Sequence, residues 1–272
     1  MTVTGGHTAE RVALVTGAAR GIGAATVRRL VREGYGVVAV DWCAEKHEGV
    51  PYPLPSRADL DALVAEHPDA VVGVVADVRD RESLDQAVLA ATERWGRLDA
   101  VVAAAAVMVG GAPLWETPVA DLDLLWEIDA RGVWNTAAAC IPTLLAAENP
   151  GASRFVAVAS AAGTHGLFRL AAYNVTKYAV VGLVKGLAAD LVGTGVTASV
   201  VSPGSTRTDM LTATAAIYGL DDPAEFAGSQ LIRRLIEPDE IAATIAFCCS
   251  LDGGVVNGTV VHADGGFPGV TS

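Results

Sequence analysis

Three side chains within one stretch of this 272-residue chain, Ser160, Tyr173 and Lys177, could together move a proton. Tyr173 and Lys177 are four residues apart in a pattern that reads as a helix from about Ala171 to Leu191, so they share one helical face. A phenol with a reference pKa of about 10 is a poor base at neutral pH. An ammonium beside it favours the phenolate, and lowering that pKa by about 2–3 units takes roughly 3–4 kcal/mol of differential interaction. Ser160 ends an apolar, β-branched run beginning at Phe155, which places its hydroxyl at the end of a buried strand. From there it could hold a substrate oxygen against the phenol. The three groups suit acid–base chemistry at a carbinol or carbonyl oxygen. A Tyr and a Lys at this spacing are common on ordinary helix surfaces, so the assignment depends on the serine and on signals elsewhere.

Those signals are the parts of a dinucleotide cradle. The strand Arg11–Thr16 runs into Gly17-Ala-Ala-Arg20-Gly21-Ile22-Gly23 and then into a helix to about Glu33, with glycines where a backbone must turn tightly and approach a pyrophosphate. Asp41 ends the second strand and could accept both ribose hydroxyls while repelling a 2′-phosphate. Trp42 after it brings no positive charge for NADP; Arg20, near the adenosine end, argues the other way. The carboxylate weighs more, and NAD is the expected cofactor. Asp77 and Val78 close the third strand, as readers of an adenine edge or as a solvated loop. Ala103, Ala104 and Ala105 close the fourth, either to admit a nicotinamide ribose or simply to pack. Pro203, Gly204, Thr206 and Thr208 follow the sixth strand, as a binding loop for the nicotinamide amide or phosphates or as a plain turn.

The elements that must position these groups alternate along the chain. Apolar strands near residues 11–16, 36–41, 71–77, 100–105, 155–160, 196–202 and 259–263 are separated by helical patterns, among them Arg81–Trp95, about 119–147 and Glu237–Cys249. Strands apolar on both faces, alternating with helices, predict a single α/β domain over residues 1–272: a doubly wound, Rossmann-type parallel sheet of about seven strands, with helices on both faces. The helix at 119–147 is expected to break near Pro142. Two segments interrupt the alternation, a Pro-rich insert at about 44–58 and a region at about 206–235 of the kind that forms a substrate lid. His165, Leu167, Phe168, Met210 and Tyr218 are the candidate substrate contacts, suited to a small-to-medium apolar secondary alcohol or ketone. The same side chains would serve as core or subunit contacts.

A net charge of −12 argues against a nucleic-acid surface. Cys43, Cys140, Cys248 and Cys249 lack paired metal-ligand spacing, which predicts free thiols in a reducing compartment and no metal site. The first ten residues do not have the pattern of a signal peptide, and no uninterrupted apolar run has bilayer-spanning length. A cytoplasmic protein without a membrane partner is expected.

From Arg11 to about Gly266 the chain resembles the short-chain dehydrogenase/reductase family, through Thr16-Gly-x-x-x-Gly-Ile-Gly23, Asp77-Val78, Ser160, Tyr173-x-x-x-Lys177, Pro203-Gly204 and Asp264-Gly-Gly266. The resemblance implies Tyr173 as acid/base, Lys177 lowering its pKa and binding ribose, Ser160 positioning the substrate oxygen, hydride exchange with NAD, and a homotetramer. Two positions depart from the family. Ala103–Ala106 replaces the usual Asn-Asn-Ala-Gly, and Asp129 stands where a fourth catalytic residue, Asn, is expected. Asp129 can serve if that position works through its main-chain carbonyl; if the side-chain amide is needed, the proton relay is in doubt. Its carboxylate could instead pair with Lys177 and stabilise its charge, or be a plain helix-surface acid. The run Val50–Leu60 in and after the insert, the run Gly163–Tyr173 and the run Ser202–Leu211 also resemble the mycofactocin-coupled branch. That likeness implies NAD that does not readily exchange and is reoxidised by mycofactocin as external electron acceptor. The rival expectations are a family member exchanging NAD(P) freely, or a catalytically weakened NAD-binding sensor or partner protein.

Overall fold

The computed structural model of the chain describes residues 9–267. Seven strands form one parallel sheet: β1 Arg11–Thr16, β2 Tyr35–Asp41, β3 Val71–Val75, β4 Ala100–Ala103, β5 Arg154–Val158, β6 Thr197–Pro203 and β7 Val260–Ala263. Their order is β3-β2-β1-β4-β5-β6-β7, so the chain reverses its direction of progress between β1 and β4. Every paired strand is parallel. That reversal opens a crevice at the carboxyl ends of β1 and β4, the place where doubly wound sheets take their ligands.

The central strands are apolar on both faces because both are covered. Helices α1 Gly21–Arg32, α2 Arg57–Glu66 and α8 Pro238–Cys249 pack Val27, Leu30, Leu60, Leu63, Ile241 and Ile245 against one face. Helices α3 Arg81–Trp95, α4 Val119–Leu125, α5 Gly132–Leu145 and α6 Ala171–Asp190 cover the other with Leu84, Leu125, Val133, Leu144, Val180 and Val184. Helix α7, Asp209–Tyr218, lies in the segment after β6.

The long helix does not break at Pro142, which lies inside α5. It is interrupted earlier, by a π-helical turn at Trp126–Arg131. Such a turn holds one residue more than an α-helical turn and re-aims the side chains it carries. Here it buries Asp129 completely, while Gly132 lies so close to Val78 that an added Cβ would stand 2.6 Å from that side chain. Among the described residues no helix is long and apolar enough to cross a membrane.

Candidate active site

The glycine turn is built for close backbone approach. Gly17 has φ +67°, and a Cβ on it would stand 2.7 Å from the Ala105 backbone; on Gly23 it would stand 2.0 Å from the Gly17 carbonyl oxygen. Among the described residues no side chain caps the N-terminus of α1, and its first turn holds no acid, so its amides and positive dipole end are available to an anion. The Asp41 carboxylate is fixed by the Ala19 amide at 3.0 Å and the Cys43 amide at 3.1 Å. The alanines after β4 are held from outside: Thr16 Oγ1 accepts from the amides of Ala104 at 3.1 Å and Ala105 at 3.2 Å. A loop without asparagine side chains is thereby fastened to β1. The glycine cradle, free helix end and fixed carboxylate fit a dinucleotide.

The adenosine end differs from the sequence expectation. A cation does stand beside Trp42: the Arg79 guanidinium lies 4.3 Å from the ring centroid. It is also forked onto Asp77, with the closest contact at 2.6 Å. Asp77 is therefore engaged by an arginine, and the arginine's charge is matched. An Asp followed two residues later by Arg could have signalled this pair.

The insert is an ordered strap. Val50 enters the core, and Tyr52 accepts at its hydroxyl from the Met108 amide at 2.9 Å. Arg20 donates to the Pro53 carbonyl at 2.6 Å and pairs with Asp209 at the start of α7 at 3.3 Å. The strap ends earlier than expected, because Ser56 caps α2 in a reciprocal capping box with Asp59. Its Tyr52 is a contact that sequence reading did not single out.

Ser160 lies two residues past β5, where its hydroxyl accepts from the Ala162 amide at 3.2 Å. The following turn packs tightly on α6, since a Cβ on Gly163 would stand 2.9 Å from the Lys177 carbonyl. This approach puts Ser160 on one wall with Tyr173 and Lys177, both buried. Lys177 Nζ is 5.4 Å from the Tyr173 ring centroid and 3.2 Å from Asp129 Oδ2. The expected lowering of the tyrosine pKa is not the net result. Burial pushes the Tyr173 phenol up; Lys177 and a hydrogen bond with Ser160 pull it down, and Asp129 adds to the rise. Burial pulls Lys177 down, but Asp129 and Tyr173 outweigh it and leave the ammonium held above its ordinary value.

One cleft of about 450 Å³ is lined by Ser160, Tyr173 and Lys177 together with Gly17, Arg20, Gly21, Ile22, Gly23, Asp41, Trp42, Asp77, Val78, Ala104, Ala105, Pro203, Gly204, Thr206 and Thr208. Leu167, Phe168, Met210 and Tyr218 line it too, joined by Phe226 and Phe267. The Tyr218 hydroxyl donates to the Phe168 carbonyl at 2.6 Å, tying α7 to the loop before α6. Three candidates lie outside the lining. Ala103 is enclosed within the sheet at 2% exposed, and Asp129 sits behind Lys177. His165 pairs with the Thr164 hydroxyl at 3.0 Å and meets the Phe267 ring edge-on. Phe267 was missed; an aromatic directly after the Asp264-Gly-Gly266 turn was its only signal. Among the described residues no group of three metal-ligating side chains stands together.

Comparison with known proteins agrees with this geometry. The Enoyl-(Acyl carrier protein) reductase family matches residues 17–268. Cis-4-hydroxycyclohexanecarboxylate dehydrogenase of Sinomonas cyclohexanicum is 35% identical over 96% of this chain and 98% of that protein. An uncharacterized NAD-dependent oxidoreductase of Mycobacterium tuberculosis is 32% identical, covering 98% of each. The crystal structure of carveol dehydrogenase from Mycobacterium avium in complex with NAD superposes with a TM-score of 0.87 at 28% identity, over 96% of this chain and 99% of that one. With the parallel seven-stranded sheet and the glycine turn, these matches place the chain in the short-chain dehydrogenase/reductase family of oxidoreductases.

Proposed function

We propose that the protein interconverts a neutral, largely apolar secondary alcohol and its ketone, with NAD as hydride carrier. The observation that carries this reading is the convergence of Ser160, Tyr173 and Lys177 on one wall of the cleft that also contains the glycine cradle. Gly17, Gly21, Gly23 and the free end of α1 would hold the pyrophosphate, and Asp41 the adenosine ribose, where its charge disfavours a 2′-phosphate. Bound NAD supplies the hydride acceptor for the carbinol carbon. The Ser160 hydroxyl holds the substrate oxygen, Tyr173 takes its proton in oxidation and returns it in reduction, and Lys177 stabilises the phenolate.

The substrate end supports the polarity of this reading. Leu167, Phe168, Met210, Tyr218, Phe226 and Phe267 line it, and the only cations in the whole lining, among the described residues, are Arg20 and Lys177. Both are already engaged, Arg20 with Asp209 and Lys177 with Asp129. The relative from Sinomonas is named for a hydroxycyclohexanecarboxylate and the Mycobacterium avium enzyme for carveol; an uncharged ring alcohol suits these walls best.

Tight retention of NAD, with reoxidation by mycofactocin, is the finer form of this proposal. It is supported by the strap, which Arg20, Tyr52 and Val50 tie down beside the cleft. A cytoplasmic location and a homo-oligomer belong to the same reading. Four free thiols are in keeping with the first, and the exposed apolar side chains Trp134, Val175 and Tyr178 on α5 and α6 with the second.

The test is a screen of cyclic secondary alcohols with an artificial electron acceptor, with and without added NAD. Turnover without added NAD is expected if the cofactor is retained, and native mass spectrometry should then show it bound. Protein that takes up and releases NAD freely would remove the retention. Tyr173→Phe should lower kcat by about 10²–10⁴-fold while leaving NAD affinity within a few fold; an unchanged rate would remove Tyr173 as acid/base.

A further inference from the structure

Asp129 places a second charge behind the tyrosine–lysine pair. Its side chain is 0% exposed and that of Lys177 2%, and they meet at 3.2 Å. Asp129 Oδ1 accepts from the Val107 amide at 2.9 Å. Oδ2 lies 3.2 Å from Lys177 Nζ and, among the described residues, no other group pairs with it. The two side chains form an ion pair in an interior where charges are weakly screened. An ammonium matched by a carboxylate at this range presents a dipole to its surroundings, not a full charge. Less of its field remains to stabilise a phenolate.

We infer that Asp129 is a positioning residue whose carboxylate holds the Lys177 ammonium in a neutral pair, so that Tyr173 keeps its proton to higher pH than it would beside an unmatched lysine. The groups facing Tyr173 are Lys177 from α6, Asp129 from the π-helical turn, the Ser160 hydroxyl from the loop after β5, and Tyr52 from the strap. Tyr52 is itself pushed well above the ordinary phenol range by burial and stays protonated. The directions agree with the geometry: burial and Asp129 raise Tyr173, and Lys177 lowers it. For the proposed reaction, alcohol oxidation needs the phenolate and ketone reduction the phenol. Asp129 therefore moves the oxidation limb toward alkaline pH and extends the range in which reduction runs.

The kinetic consequence rests on the proposed function; the charge effect does not. Ultraviolet titration of tyrosinate tests the charge effect without turnover, using the difference between each protein and its Tyr173→Phe counterpart to isolate Tyr173. In Asp129→Asn the midpoint should fall by about one pH unit or more, the shift expected when a nearby cation is no longer matched. An unmoved midpoint overturns the inference. Asp129→Asn with Lys177→Met removes both charges and leaves no buried ion unpaired, which keeps the test available if the single variant fails to fold. A neutral pair predicts a midpoint within about half a unit of wild type. A rise of about one unit or more shows that the lysine dominates and overturns the inference. With cyclohexanol and NAD as probes, the acid limb of kcat/KM for oxidation, where the phenol holds its proton, should follow the titrated midpoint in Asp129→Asn. A limb that stays while the midpoint moves removes Tyr173 as the base and leaves the charge effect standing.

Discussion

At the scale of single residues, the cleft depends on side chains that are missing as much as on those present. Gly23 shows this most clearly, because any side chain there collides with the Gly17 carbonyl at 2.0 Å. The turn would have to open, moving the amides that face the pyrophosphate. Gly23→Ala should weaken NAD binding at least about tenfold, equivalent to about 1.4 kcal/mol, read by calorimetric titration of NAD-free protein. Affinity within twofold of wild type would show that the turn does not carry the cofactor. Tyr173 and Lys177 make the complementary point. Their spacing correctly placed both on one helical face, but the sign of the phenol's shift came from burial and Asp129. Desolvation depends on everything packed around a group, and spacing along a helix carries no information about that.

At the scale of elements, the strap and the start of α8 hold their places by long-range hydrogen bonds. Tyr52, itself partly buried, satisfies the amide of the buried Met108. Tyr52→Phe leaves that donor without a partner and should cost about 1–3 kcal/mol, seen as a lower thermal midpoint; an unchanged midpoint would mean that water replaces the hydroxyl at no cost. On α8, Glu240 accepts from the Glu237 amide at 2.9 Å and forks onto Arg234 at 2.6 Å. The Arg234 guanidinium, more than the amide, holds its carboxyl down to about 2. Because the folded pKa is depressed, the stabilisation is complete above the ordinary carboxylate value of 4.5 and is lost as pH falls toward about 2. The side chain is half exposed, so the effect should not exceed about 1 kcal/mol. Chemical denaturation of wild type and Glu240→Gln should differ at pH 7 and converge in acid; a constant difference would show that ionisation plays no part.

At the scale of the whole molecule, the apolar side chains left outside the two cores matter most. Trp134, on α5, is 64% exposed, and Val175 and Tyr178 on α6 are about half exposed. In an oligomer with these helices at its interface, Trp134→Glu should shift the mass measured by light scattering toward the protomer without loss of helical content. An unchanged mass would exclude this face. Sheet order sets the other large feature. Reversal between β1 and β4 brings the glycine turn, the alanines after β4 and the serine after β5 to one edge, so groups scattered along the chain open onto a single cleft.

The sequence by itself was sufficient for whatever is encoded locally. Alternating apolar strands and helices identified the doubly wound sheet, α3 falls at Arg81–Trp95 as its periodicity predicts, and glycine spacing marked the first turn. The tertiary structure alone decided how distant pieces meet. It moved the interruption of the long helix from Pro142 to a π-helical turn, laid Arg79 across Trp42, anchored the strap through Tyr52, and sealed Asp129 against Lys177. The physical reason is range: strand and helix patterns repeat over a few residues, whereas ion pairs, desolvation and buried hydrogen bonds depend on neighbours that only the folded chain brings together.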